Sequence, residues 1–383
     1  MKNIVTVIRF LVGALFIFSG LVKANDPMGL SFKMQEFFEL WSTELASSYF
    51  FLKSFLISLF DVLHHYSLAL SVIMITLEII AGIALIIGWK RNAVVNLLLG
   101  LIIFFTFLTG YAYLSGKFRN CGCFGDCIPI TPFTSFVKDV LLLVLISFLA
   151  FQKKYITPLL TNRLRNGVLI TSLLFTILLQ WYVLNYLPIA DCLPYKEGNS
   201  ITEQMKTPAT AVADSFAIRF VYERGGKQFE FAPESLPGDL DTYSFVKRTD
   251  KLIRKGNAEP AIKGFTLTGL SGTDSTMEIL NQPLCFLLLA EDFTRPASIW
   301  INDFKSLTEV AQKSNIPVFI VTASVSKAVP LMQHFGLQNV PVMSCDFTAI
   351  RTAARTNPTL YQLRKGVVVH KYSLREIDRA VRQ

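Results

Sequence analysis

Asn120-Cys121-Gly122-Cys123-Phe124-Gly125-Asp126-Cys127 places three cysteines in one short loop between two apolar runs, Ala93 to Leu114 and Phe136 to Phe151. A helix needs about 20 predominantly apolar residues to cross a hydrocarbon core, so the loop reads as a thiol cluster at a membrane surface. The whole chain agrees: 383 residues with 52% hydrophobic content and a mean hydropathy of +0.44 are too apolar for one soluble globule. The formal charge of +9 is spread out, with 14 Lys/Arg and 9 Asp/Glu in residues 1–195 against 23 and 19 in the rest. With no basic patch, this charge reads as membrane orientation and surface solubility, and it gives no sign of a nucleic-acid partner.

Working outward, five segments are long and apolar enough to span: Ile4 to Val22, Tyr66 to Trp89, Ala93 to Leu114, Phe136 to Phe151 and Gly167 to Leu187. Tyr49 to Leu63 is also apolar, but Lys53, Asp61 and the pair His64-His65 read as an interfacial or re-entrant helix. The first span has Arg9 inside it and no small-x-small site after it, which argues against a cleaved signal peptide. Basic residues in short connections favour the cytoplasm. Lys2, Lys90-Arg91 and the set Lys153, Lys154, Arg163 and Arg165 then share one side. The cysteine loop, the long loop Lys23 to His65 and everything after Leu187 share the other. The expectation is a multi-pass protein of a bacterial inner membrane, in contact with the lipid bilayer, with its soluble C-terminal part in the periplasm.

Disulfides persist outside the cytoplasm, and Cys192 emerges on the same face as Cys121, Cys123 and Cys127. Two disulfides among four cysteines allow three connectivities, which spacing alone leaves open. A direct Cys121 to Cys123 bond would be strained, so Cys127 with Cys121 or Cys123 is the easier pair. Three readings follow. Thiol exchange with periplasmic client or redox partner proteins would use a thiolate favoured by Lys117, Arg119 or the following helix, with Cys192 resolving. A structural disulfide would only staple the loop. A four-cysteine metal site fits worst, because only Cys123 and Cys127 have knuckle-like spacing.

Arg9-Phe10-Leu11 through Phe16-Ile17-Phe18-Ser19-Gly20-Leu21-Val22-Lys23, followed by Asp26-Pro27-Met28-Gly29, resembles the opening of DoxX-type membrane proteins. Glu78-Ile79-Ile80-Ala81-Gly82 and the Cys121-Gly122-Cys123-Phe124-Gly125 string are similar to the related MauE branch. The resemblance covers about residues 1 to 152. It implies a four-helix core and a role in maturing disulfide-bearing envelope proteins. Nothing elsewhere in the chain points to a methylamine substrate, and the span from Gly167 is extra to that core. Within the membrane, Arg9 and Glu78 need partners. They are expected to pair, either as a proton or quinone site or as an ion pair that fixes helix register. A quinone acceptor rests on analogy with other helical-bundle thiol oxidases, and no residue demonstrates it.

After Pro188 the composition is that of a soluble protein. Lys196 to Ala211 reads as a linker. Phe216 to Tyr222 and Lys227 to Phe231 flank Gly225-Gly226 as a β-hairpin. From Ser271 a helix at Asp274 to Leu280 precedes the buried strand Leu284 to Ala290. A helix at Ser298 to Lys313, a strand at Val318 to Val321 and a helix at Ser326 to Phe335 follow. Strands at Leu360 to Leu363 and Val367 to His370 and a helix at Leu374 to Val381 close the chain. This mixed α/β order resembles the thioredoxin fold, with Asn357-Pro358-Thr359 in the place of that family's cis-proline turn and Pro358 offering an open edge to an extended peptide. The position of the family's C-x-x-C reads Glu291-Asp292-Phe293-Thr294-Arg295-Pro296-Ala297-Ser298, without cysteine. Cys285 sits in a buried strand and Cys345 stands alone.

The histidines lack metal spacing, and the glycine pairs lack a phosphate-binding pattern. The spans show none of the broken helices or inverted repeats of a transporter. The expected architecture is multi-domain. A helical membrane bundle over 1–152 is followed by a fifth span over 153–195, a linker and small β module over 196–270, and a thioredoxin-like domain over 271–383. Its expected role is periplasmic thiol-disulfide exchange, with Cys121, Cys123, Cys127 and Cys192 reacting and Arg9, Glu78 and Pro358 binding. The alternative is a non-enzymatic assembly factor.

Overall fold

The computed structural model describes residues 1–118, 125, 127–128, 130–208, 211–212, 215–254, 256 and 258–382. Its N-terminal part is helical: α1 (Lys2–Ala24), α2 (Pro27–Ala46), α3 (Lys53–His65), α4 (Ser67–Ile87), α5 (Arg91–Ser115), α6 (Pro132–Phe151) and α7 (Asn162–Asn185). Among the described residues five of these, α1, α4, α5, α6 and α7, are long and apolar enough to cross a membrane. The chain is a multi-pass membrane protein.

Within the stretch 23–65, α3 falls where an interfacial helix was expected, and α2 forms where only loop was expected. The signal was local: Asp26 accepts a hydrogen bond from the Gly29 N–H at 2.9 Å and Pro27 takes the first helical position, the usual start of a helix. The outer face of α3 leaves Phe55, Leu59 and Val62 exposed, as an interfacial helix would.

Antiparallel α1 and α4 pack most closely where both carry glycine. A Cβ on Gly13 would sit 2.9 Å from the Gly82 carbonyl oxygen, and one on Gly82 would sit 2.8 Å from that of Gly13. Small residues allow such backbone contact in lipid, where hydrophobic drive between helices is absent. Val12, Phe16, Leu85, Leu98, Ile102 and Ile146 fill the space between α1, α4, α5 and α6.

The two ends of this bundle differ. At one end Arg91 donates to the Lys154 carbonyl at 3.1 Å, Lys153 to Asn96 at 2.6 Å and Arg165 to the Gly88 carbonyl at 3.1 Å, so the basic connections gather there. The α1–α2 junction and the end of α5 lie at the other.

The C-terminal region contains two sheets. After α8 (Ile201–Gln204), strands β1 (Ser215–Arg224), β2 (Lys227–Phe231) and β3 (Ser244–Arg254) form an antiparallel sheet of order β2-β1-β3. Then come α9 (Thr276–Leu280), β4 (Cys285–Ala290), α10 (Ile301–Lys313), β5 (Val318–Thr322), α11 (Val325–His334), β6 (Val342–Ser344), α12 (Phe347–Ala353), β7 (Thr359–Arg364), β8 (Val367–Ser373) and α13 (Ile377–Val381). The second sheet has order β6-β5-β4-β7-β8. Strands β4, β5 and β6 are parallel, and β7 and β8 run antiparallel. Every residue of central β4 is buried, as expected for a strand covered on both faces. Trp300, Phe304 and Ile377 cover one face, and Tyr195, Phe265 and Tyr361 lie in the core on the other.

The stretch expected as a linker is tied to this sheet. Ile201 is buried in the same core, the Gly198 N–H donates to Val368 at 2.8 Å, and Ser200 bridges Val367. Apolar Tyr195 and Ile201 have core to fill, and they draw the intervening polar residues onto the sheet edge.

Candidate thiol site at the α1–α2 junction

Cys127 and Cys192 form a disulfide with Cα atoms 4.8 Å apart. This corrects the expectation that Cys127 would pair within its own loop. Cys121 and Cys123 lie outside the described residues. The long-range pairing follows from what holds Cys192 in place. Two residues earlier, Ala190 exchanges both backbone hydrogen bonds with the Asn25 side chain, at 2.8 and 2.9 Å. One residue earlier, Asp191 accepts from the Lys371 ammonium at 2.7 Å. Burial pulls the Lys371 pKa down, while Asp191 opposes that shift. From the other side Gly125 lies against Val22. Cys192 is exposed and Cys127 half-buried, so the sulfur pair can be reached from water. Exposed disulfides are more often the labile ones.

The junction also reaches inward. Lys23, at the end of α1, forms an ion pair with Glu78 in which the two side chains are only 4% and 1% exposed. The expected Arg9–Glu78 pair therefore does not form. Antiparallel packing decides this, because residue 9 lies opposite the C-terminal end of α4 while residue 23 lies opposite its middle. Arg9 instead donates to the carbonyls of Leu85 and Thr157, each at 2.8 Å, and to that of Ile86. Leu85 and Ile86 lie in the last turn of α4, where carbonyls lack full intrahelical pairing and a cation is favoured. Beside the Glu78 pair, Asp139 accepts from Thr109 at 3.1 Å and from Lys138 at 2.8 Å.

The junction finally reaches the sheet-containing C-terminal region. Asp26 accepts from Arg355 at 2.7 Å, with side chains 11% and 5% exposed, and Arg351 stacks its guanidinium on Phe32 at 4.7 Å. Arg351 also donates to Glu291 at 2.9 Å. Glu291 begins the segment where a C-x-x-C would stand. There the Glu291 N–H donates to the Asn357 side chain at 3.2 Å, and Asn357 donates to Asp292 at 2.6 Å. The Asn357–Pro358 bond is cis. Pro358 is buried and Thr356 is almost fully covered, while Asn357 between them is half-buried. Cys285 and Cys345 are buried, and desolvation pushes their thiols up to about 12 and about 11. Neither is a nucleophile near neutral pH.

Sequence reasoning missed Lys23, Asp26, Lys138, Asp139 and Arg355. Lys23 and Asp26 were recoverable, one from the antiparallel register of α1 on α4 and the other from its capping position. Arg355 carried no local signal, since its partner is 329 residues away.

Residues 1–152 match the family model described as Methylamine utilisation protein MauE, and residues 216–255 match a domain of unknown function, DUF8463. The protein is similar to Protein TlpB of Flavobacterium psychrophilum, at 28% identity over 150 residues. That alignment covers 38% of this chain and 35% of the relative, so the chain spans about a third of the curated protein it matches. No solved structure matches it.

Proposed function

We propose that this protein carries out thiol-disulfide exchange, or matures envelope proteins through it, at the periplasmic surface of a bacterial inner membrane. The observation that carries this reading is the water-accessible Cys127–Cys192 disulfide, which joins the membrane loop to the base of the soluble domain. In the exchange, a client dithiol attacks the disulfide through a mixed disulfide. The client leaves oxidised, and Cys127 and Cys192 are left as thiols. Cys121 and Cys123 are close enough in sequence to relay electrons onward.

The sheet order β6-β5-β4-β7-β8, with three parallel and two antiparallel strands, supports a thioredoxin-like reading of the C-terminal domain. Without cysteine after β4, that domain acts as a docking platform. The MauE match over the membrane part supports a maturation role. Expected of the Cys192→Ser variant, in cells, is a set of reductant-sensitive adducts between Cys127 and envelope proteins. A variant with serine at Cys121, Cys123, Cys127 and Cys192 that retained full function would eliminate the redox reading.

One observation favours a second reading. Both ends of the disulfide are independently anchored, by Val22 and by Asn25, as a staple would be. An assembly factor held by that staple would yield no adducts and would lose stability on reduction.

A further inference from the structure

Three lysines from three helices meet at one cavity. Lys23 at the end of α1, Lys33 on α2 and Lys138 on α6 line a space of about 50 Å³, together with Ser19 and Thr109. Among the described residues no carboxylate lines it. Glu78 and Asp139, the acid partners of Lys23 and Lys138, are each only 1% exposed and line a neighbouring space of about 20 Å³. Lys33 pairs with Glu36, three residues on, whose side chain is 47% exposed, and a pair so open to water holds its members weakly. Three ammoniums against two buried carboxylates leave one positive charge at the cavity. An ammonium carries three donors, so a single carboxylate partner does not saturate it.

The cavity is also the inner end of an apolar groove. Met34 of α2, Met74 of α4 and Phe104 of α5 line both the cavity and a groove of about 830 Å³ between α2, α3, α4 and α5. Phe104 and Phe107 are exposed on the span α5, so the groove faces hydrocarbon along that side. Two of the three shared side chains are methionine, which adapts readily to whatever lies against it. The combined pocket is therefore cationic within and apolar without, the reverse image of an amphiphile that enters head first.

We infer that this pocket binds a long-chain carboxylic acid, with its carboxylate among Lys23, Lys33 and Lys138 and its hydrocarbon chain in the groove. Size selects the head group. About 10–15 Å³ accommodates one water, so the cavity takes the carbon and two oxygens of a carboxylate but not the phosphodiester and glycerol of a phospholipid. Charge selects an acid over an alcohol, because the carboxylate balances the third ammonium. The site stands on these contacts alone and does not depend on the redox reading of the thiols.

The test uses the full chain in phosphatidylcholine nanodiscs with cis-parinaric acid, a fluorescent long-chain acid. Its emission should show a saturable component beyond partition into empty nanodiscs, displaced by palmitate and not by hexadecanol. Lys33→Met removes the cation whose side chain is already 26% exposed and leaves both buried pairs in place. That variant should bind the probe about tenfold more weakly, while Lys33→Arg should bind it nearly as the native protein does. A signal that only follows partition would overturn the site. Equal displacement by hexadecanol would reduce it to an apolar groove without an acid-binding end, and displacement by phosphatidylglycerol would give the lysines to a phospholipid instead; either result overturns the inference. So would native affinity in Lys33→Met.

Discussion

Asp26, at the start of a helix in the membrane part, and Arg355, two residues past the end of α12 in the C-terminal sheet region, meet at 2.7 Å with both side chains nearly excluded from water. An ion pair this buried has lost most of its hydration, so removing either partner leaves a charge with no compensation. The C-terminal sheet region is therefore seated on the membrane part by a charge-matched contact as well as by the chain that joins them.

Arg355→Met should unseat that domain at a cost of about 3–5 kcal/mol to the docked state. Limited proteolysis in the segment between α7 and β1 should accelerate, while β4 to β8 stay resistant. Unchanged cleavage would show that Arg351 on Phe32 and the Asn25 clasp suffice without the pair.

For the Lys23–Glu78 pair, Lys23→Met alone should destabilise the bundle by about 3–5 kcal/mol, because the Glu78 carboxylate stays buried. Adding Glu78→Leu should recover much of that loss. Thermal unfolding in detergent of the two single variants and the double variant measures the coupling. Simple additivity would mean that the two groups do not depend on each other.

Gly82→Val should push α1 and α4 apart, since the added carbons meet the Gly13 backbone. Overpacking of this kind costs about 1–3 kcal/mol. The readout is a lower midpoint of thermal unfolding in detergent. Gly100→Val, at a site with open space around it, serves as the control and should change little.

Cys285 and Cys345 give a pH prediction. Burial raises these thiols to about 12 and about 11 from an ordinary value of 9.0. Their contribution to stability is complete below pH 9. It is lost as the pH rises toward 11–12, because the unfolded chain gives up those protons first. The Cys285→Ala, Cys345→Ala variant should show a flatter decline in unfolding midpoint across that window. In the native protein at pH 8, iodoacetamide should leave both residues unmodified, and labelling of either would contradict the burial.

Hydropathy is a local property, and so all five spans were legible in the sequence, as were the β1–β2 hairpin and the buried run of β4. Strand β6, three residues long, was missed because it is too short to show a period and exists through pairing with β5. The partners of Arg9 and Glu78 depend on how two helices are set against each other, which neither helix states alone. Cys192 was placed on the correct face from topology. Its bond to Cys127 was not readable, because the anchor at Asn25 lies 165 residues from Ala190.

Residues 22 to 26 are consecutive, yet Val22 lies against Gly125, Lys23 holds the buried carboxylate, Asn25 clasps the approach to Cys192, and Asp26 seats the C-terminal sheet region. Four attachments on five residues behave as one joint with little slack. Were the disulfide reduced, any displacement of Cys127 and Gly125 would bear on the same short peptide that holds Glu78 and Arg355, so a change at the thiols could be felt at both without rearranging the long helices.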